Sequence, residues 1–108
     1  MPSGMIVQFR PTIGYNFEQL TVTNDIKILT ASKYKDVDTT GGASAALLTN
    51  DGADIRYTYD GTTPSATVGH LLPDKGILTL IGQNQMSQLQ AFRAGGTDSI
   101  ITITYERE

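Results

Sequence analysis

The chain has 108 residues, of which 39% are hydrophobic and 18% charged, and its formal net charge is −3. This length fits one domain. The lack of cysteine excludes disulfides and thiolate metal sites. The acidic pI near 4.9 argues against nucleic acid as a partner. No apolar run is long enough for a membrane span, no signal peptide is visible at the start, and a cysteine-free small domain is expected to assemble in a reducing cytoplasm.

Residues 1–16 are expected to form an extended arm, and residues 17–108 a single β domain. Prolines and glycines spread through the first sixteen residues interrupt any long helix or strand. The apolar side chains among them are suited to dock on a sheet edge or on a neighbouring subunit. The arm residues expected in that contact are Met5, Ile6, Val7 and Phe9.

Threonine, valine, isoleucine and tyrosine dominate the patterned segments, and these residue types favour strands. The clearest pattern is the period of two in residues 101–105, where Ile101, Ile103 and Tyr105 alternate with threonines. The segments expected to be strands are residues 19–23, 27–31, 45–49, 55–59, 68–72, 77–81, 90–94 and 101–105. Residues 83–89 are polar and predict one short helical turn.

Two turn signals predict how some of these strands pair. Asn50-Asp51-Gly52 favours a hairpin between residues 45–49 and 55–59. Pro73-Asp74-Lys75-Gly76 favours a tight connection between residues 68–72 and their partner 77–81. About seven or eight short strands at this spacing predict an all-β fold. It is either a small antiparallel β-sandwich or a jelly-roll-like barrel, and the sequence leaves that choice open.

The sequence offers little for catalysis, and no catalytic, cofactor-binding or metal-binding residue is predicted. His70 is the single histidine and is interpreted as a structural side chain. No G-x-S-x-G element is present, and no cysteine can act as a nucleophile. Oxygen-bearing side chains near one turn could suit calcium, but turn formation explains them better. They are Asn50, Asp51, Asp54 and Asp60.

The strand pattern separates aromatic residues expected in the core from those expected on the surface. Tyr57, Tyr59, Tyr105 and Phe92 lie in strand patterns and are expected in the core. Tyr34, between two lysines, is the one aromatic expected on the surface, where it is a candidate interface residue.

The run Ile-Arg-Tyr-Thr-Tyr-Asp-Gly-Thr-Thr-Pro-Ser-Ala-Thr-Val-Gly-His at residues 55–70 is the most distinctive part of the sequence. Together with Leu-Thr-Val at 20–22, and Ala-Phe-Arg-Ala followed by Gly-Gly-Thr-Asp at 91–98, it resembles a family of small accessory virion proteins of tailed bacteriophages and prophages. The resemblance covers residues 17–105, and the arm lies outside it.

This resemblance implies a non-enzymatic structural protein of the virion, assembled in the host cytoplasm. The expected role is a capsid decoration or cement protein that binds the major capsid protein or another virion protein and bridges subunits. A homo-oligomer is expected, and a trimer is plausible on symmetry grounds. The alternative is a component of the tail, baseplate or fibres, or a module that binds host glycans. Neither nucleic acid nor a membrane is expected as a partner.

Overall fold

The computed structural model describes residues 13–35 and 42–107, which form two antiparallel sheets packed face to face. The strands are β1 (Ile13–Val22), β2 (Ala45–Asp51), β3 (Ile55–Thr58), β4 (His70–Leu72), β5 (Ile77–Ile81), β6 (Gln90–Arg93) and β7 (Ser99–Arg107). The helices are α1 (Ala31–Tyr34) and α2 (Gln83–Gln88). The large sheet has the order β1-β7-β2-β5 and the small sheet β4-β3-β6. The prediction of a small all-β fold is confirmed, and of the two predicted architectures the structure matches the sandwich.

The alternation in β7 sets the two faces of the large sheet. Ile101, Ile103 and Tyr105 are each at most 1% exposed, and the threonines between them project to the other side. Their neighbours Leu48 and Leu80 continue the buried face across β2 and β5. Burying one such side chain stabilises the fold by roughly 1.5–3 kcal/mol, so this row is the main support of the core.

The small sheet and the helices close the other side of the core. Ile55, Leu72 and Ala91 supply the inward side chains of β3, β4 and β6. Met86 of α2 and Leu89 after it fill the space beside them. Phe92 was expected to point inward but is only partly buried, because the alternation of β6 gives the inward position to Ala91.

Both predicted hairpin pairings are wrong. β2 pairs with β5 and β7, whereas β3 pairs with β4 and β6, so each turn carries the chain from one sheet to the other. The side chain of Asn50, 1% exposed, explains this crossing. Its amide donates to the carbonyls of Ala53 at 2.7 Å and Leu72 at 3.0 Å. It therefore ties the end of β2 to the end of β4 in the opposite sheet.

The predicted boundary between the arm and the β domain also differs from the structure. β1 begins at Ile13 and pairs with β7 from there, so residues 13–16 belong to the sheet rather than to an arm. The rest of the predicted arm, with Met5, Ile6, Val7 and Phe9, lies outside the described residues.

Residues 27–31 were predicted to be a strand, and this is wrong. Only Lys27 forms a bridge, with Ala91, and the chain then enters α1, a helix that was not predicted. The Glu18 carboxylate holds the residue that precedes α1 in place. It accepts hydrogen bonds from the backbone N–H of Thr30 at 3.1 Å and from the Thr30 hydroxyl at 2.7 Å.

Candidate functional site

The outer face of the large sheet, turned away from the small sheet, is the first candidate site. Facing residues of antiparallel strands project to the same side, so the register places Phe17, Thr104, Leu47 and Thr79 in one row across all four strands. The side chains that form this outer face are Phe17, Gln19, Thr21, Leu47, Thr49, Ile77, Thr79, Ile81, Ile100, Thr102 and Thr104.

The apolar members of the outer face are unusually accessible. Ile77 is 67% exposed, Ile81 58% and Phe17 55%. Four strands about 4.8 Å apart give a surface roughly 15 Å wide, on which threonines separate the apolar side chains. The solvent-facing side of an antiparallel sheet is normally polar. An extended apolar surface of this kind is typical of an interaction site.

Charged groups border the outer face rather than interrupt it. At one end Asp51 forms an ion pair with Lys75. At the other end Glu106 lies opposite Gly14 and Ala45. Among the described residues, the centre of the face therefore offers only aliphatic, aromatic, amide and hydroxyl groups to a partner.

The second candidate site is the aromatic cleft, a cavity of about 390 Å³ between the end of β3 and the start of β4. Its lining residues are Thr58, Tyr59, Asp60, Thr62, Val68, Gly69 and His70. The Tyr59 and His70 rings are 6.0 Å apart, and both contact the ring of Tyr57, at 6.3 Å and 5.3 Å respectively. Tyr57 is partly buried against the core, whereas Tyr59 is 43% exposed.

Hydrogen bonds hold the loop that surrounds the aromatic cleft. The Arg56 guanidinium donates to the carbonyls of Ala66 at 3.3 Å and Gly69 at 3.2 Å. The Thr58 hydroxyl donates to the Thr62 carbonyl at 2.5 Å. Gly69 has a φ of +122°, and an added Cβ there would lie 2.9 Å from the Tyr57 carbonyl oxygen. This position therefore needs glycine, which lets β4 approach β3 closely.

Asp60 gives the aromatic cleft its charge. Its Oδ1 accepts a hydrogen bond from the backbone N–H of Thr62 at 3.0 Å. That bond, then a hydrogen bond from the Thr62 side chain, and more weakly the electrostatic attraction of the nearby His70, hold the pKa of the Asp60 carboxyl below its usual value. The carboxylate is therefore ionised at neutral pH. Burial, and then the neighbouring Tyr59, raise the pKa of the Tyr57 hydroxyl.

The structure reverses the predicted positions of two tyrosines: Tyr34 lies in the core and Tyr59 on the surface. Tyr34 is only 5% exposed, with its ring 6.1 Å from that of Tyr105, so its prediction as a surface contact is wrong. The unforeseen helix α1 turns Tyr34 into the core, where burial raises the pKa of its hydroxyl. Tyr59 was predicted in the core but is exposed, because β3 ends at Thr58. The Asp60-Gly61 turn signal directly after Tyr59 could have indicated this.

The oxygen-bearing residues considered for calcium do not come together. Asn50 is buried, Asp51 pairs with Lys75, and Asp54 accepts the backbone N–H of Asp74 at 2.9 Å. Asp60 lies in the aromatic cleft. Within residues 13–35 and 42–107, His, Asp and Glu side chains form no group of three that could hold a metal ion. None of the helices in the described part of the chain is long and apolar enough to cross a membrane.

Comparisons with protein-family models, with curated protein sequences and with solved structures gave no match. The outer face and the aromatic cleft are therefore the features of the molecule that indicate its function.

Proposed function

We propose that the protein is a non-enzymatic structural component of a bacteriophage particle, and that it decorates the capsid by docking the outer face of its large sheet on the major capsid protein. The observation that carries this proposal is the accessible apolar surface of the outer face, on which Ile77, Ile81 and Phe17 are each more than half exposed. The resemblance of residues 55–70 to accessory virion proteins supports the choice of partner.

The chemistry of the outer face favours a protein partner. Its aliphatic and aromatic side chains gain free energy when another apolar surface removes them from water, at about 25 cal/mol for each Å². The threonine hydroxyls between them can exchange hydrogen bonds with a partner's polar groups. Among the described residues, the charged side chains of the outer face lie at its border, so docking would bury no unpaired charge from its centre.

Self-association is the second part of the proposal. A cyclic homo-oligomer such as a trimer would present several copies of the outer face to symmetric positions on a capsid. The segment before Ile13 contains Met5, Ile6, Val7 and Phe9 and leads into β1, an edge strand of the large sheet. If extended, its twelve residues would span about 40 Å, enough to reach a neighbouring copy.

Co-sedimentation with undecorated capsids of the parent phage tests this proposal. Ile77→Asp places a charge in the outer face and is expected to weaken capsid binding at least about tenfold, because that charge would be buried without a partner. Ile28→Asp is the matched control, since Ile28 is 61% exposed but lies outside the large sheet. The control should bind like the unchanged protein.

Two results would overturn the proposal. One is equal binding by the Ile77→Asp and unchanged proteins when both melt at the same temperature. The other is a protein that ignores capsids but sediments with isolated tails, which would favour the alternative role in the tail, baseplate or fibres.

A further inference from the structure

We infer that the aromatic cleft binds a carbohydrate, with a pyranose ring stacked on Tyr59 and its hydroxyl groups held by Asp60, Thr62 and His70. This inference does not depend on where the protein sits in a particle, and it involves none of the residues of the outer face.

The size and order of the aromatic cleft suit a small ligand. Its volume of about 390 Å³ lies within the range of roughly 300–1,000 Å³ that is typical of ligand sites. The loop around it is already fixed, because Arg56 and Thr58 bind its carbonyl groups and the Ser65 hydroxyl accepts the backbone N–H of Val68 at 3.1 Å. A pre-ordered site loses little conformational entropy when the ligand binds.

Tyr59 supplies the platform. Tyr57 and His70 support its ring at 6.3 Å and 6.0 Å, yet 43% of Tyr59 stays exposed. The electron-rich face of a phenol ring attracts polarised C–H groups, and a pyranose carries such groups on one face and hydroxyls around its rim. Val68, 45% exposed at the wall of the cleft, adds a second apolar contact.

The polar groups of the aromatic cleft match hydroxyl groups better than phosphate. An ionised Asp60 accepts hydrogen bonds and repels anions. The Thr62 hydroxyl, whose proton is donated to Asp60, can still accept a hydrogen bond, and the His70 ring can donate and accept. Among the described residues that line the cleft there is no lysine or arginine. The nearby Arg56 guanidinium is occupied by two loop carbonyls. A neutral polyhydroxylated ligand therefore fits this lining.

Titration of the full-length protein by ¹H–¹⁵N NMR tests the inference. The probes are methyl glycosides of glucose, galactose, mannose, rhamnose and N-acetylglucosamine, with tetramethylammonium chloride and sodium phosphate as the cationic and anionic comparisons. The expected result is saturable movement of the Tyr59, Thr62, Gly69 and His70 amide signals with at least one glycoside, at a Kd of about 0.1–10 mM.

Variants then separate stacking from hydrogen bonding. Tyr59→Ala should weaken glycoside binding about three- to tenfold, whereas Tyr59→Phe keeps the platform and should bind nearly as well. Asp60→Asn retains an acceptor for the Thr62 N–H but removes the charge, and should also bind less tightly. Phe17→Ala is the control, because Phe17 is a comparably exposed ring on the outer face.

Three outcomes would overturn the inference. They are no response to any glycoside, a response to tetramethylammonium or phosphate alone, and unchanged glycoside affinity in a folded Tyr59→Ala protein. Because capsid binding is assigned to the outer face, Tyr59→Ala should still sediment with capsids, so failure of one proposal is distinguishable from failure of the other.

Discussion

The Tyr105 hydroxyl donates a hydrogen bond of 2.5 Å to the Glu18 carboxylate on the core side of the large sheet. Tyr105 has no exposed surface, and Glu18 also accepts two hydrogen bonds from Thr30. A single carboxylate thus joins β7, β1 and the segment that leads into α1. Three strong donors satisfy a charge that would otherwise be costly so close to the core.

Tyr105→Phe is expected to lower the free energy of unfolding by about 1.5–3 kcal/mol, the usual contribution of a hydrogen bond to a charged group. Urea denaturation followed by circular dichroism measures this. Tyr15→Phe is the control, because the Tyr15 hydroxyl has no hydrogen-bond partner among the described residues, and it should change stability by less than about 0.5 kcal/mol. Equal effects of the two substitutions would show that the Tyr105–Glu18 bond contributes nothing specific.

Alkaline pH should destabilise the protein through the same tyrosine. Burial, followed by the hydrogen bond and charge of Glu18, raises the pKa of Tyr105 far above its usual value of 10.0. A group with a raised pKa in the folded state contributes full stability below its unfolded pKa and loses it as the pH rises. Above pH 10, Tyr105 should therefore reduce the free energy of unfolding by at most about 1.4 kcal/mol per pH unit.

Denaturation at several pH values between about 9 and 11.5 should show a smaller slope for Tyr105→Phe than for the unchanged protein. Some slope should remain, because burial also raises the pKa of Tyr34 and Tyr57. An identical slope in both proteins would contradict the assignment to Tyr105.

The sequence predicted the strands better than their partners. The period of two in β7 and the turn signal at Asn50 are local properties, and both correspond to features of the structure. Whether strands on either side of a turn pair depends on contacts between distant residues. One such contact is the Ser99 hydroxyl, which donates to Asn50 Oδ1 at 2.6 Å from 49 positions away and joins β7 to β2. No local pattern in the sequence predicts that bond.

The candidate site was predictable only in part for a similar reason. Residues 55–70 stood out by their resemblance, and the aromatic cleft lies within them. Strand alternation placed Tyr59 in the core, because it cannot indicate that the strand ends one residue earlier. The outer face was not predictable from the sequence either. The isoleucines of β5 give the same sequence pattern whether another protein surface covers them or solvent contacts them.

Asn50→Ala should destabilise the fold more than a typical surface substitution, by about 2–4 kcal/mol. It removes the amide that ties the two sheets and leaves the buried Ser99 hydroxyl and the Leu72 carbonyl without this partner. Thr49→Ala, one residue away on the outer face, is the control and should cost less than about 1 kcal/mol. Thermal and urea denaturation measure both. A loss below 1 kcal/mol for Asn50→Ala would contradict its role in the crossing.

Gly69→Ala should destabilise the protein by about 1–3 kcal/mol, because alanine disfavours a φ of +122° and its Cβ would press on the Tyr57 carbonyl. The melting temperature should fall by roughly 4–20 °C. Gly95→Ala is the control, since a Cβ there meets no atom within 4 Å. A fully stable Gly69→Ala protein would show that β4 need not approach β3 so closely.

Removal of residues 1–12 should leave the sandwich folded, because every strand and every hydrogen bond described above begins at residue 13 or later. The melting temperature of the truncated protein should differ from that of the full-length protein by no more than roughly 4 °C. Its mass in solution, measured by light scattering, and its sedimentation with capsids should both decrease if Met5, Ile6, Val7 and Phe9 contact a neighbouring copy or a capsid protein. Ile77→Asp in the full-length chain provides the comparison, because it alters the outer face and keeps this segment. Loss of the cooperative melting transition on truncation would instead show that the segment is part of the fold, and unchanged mass and capsid binding would remove it from the proposed interface.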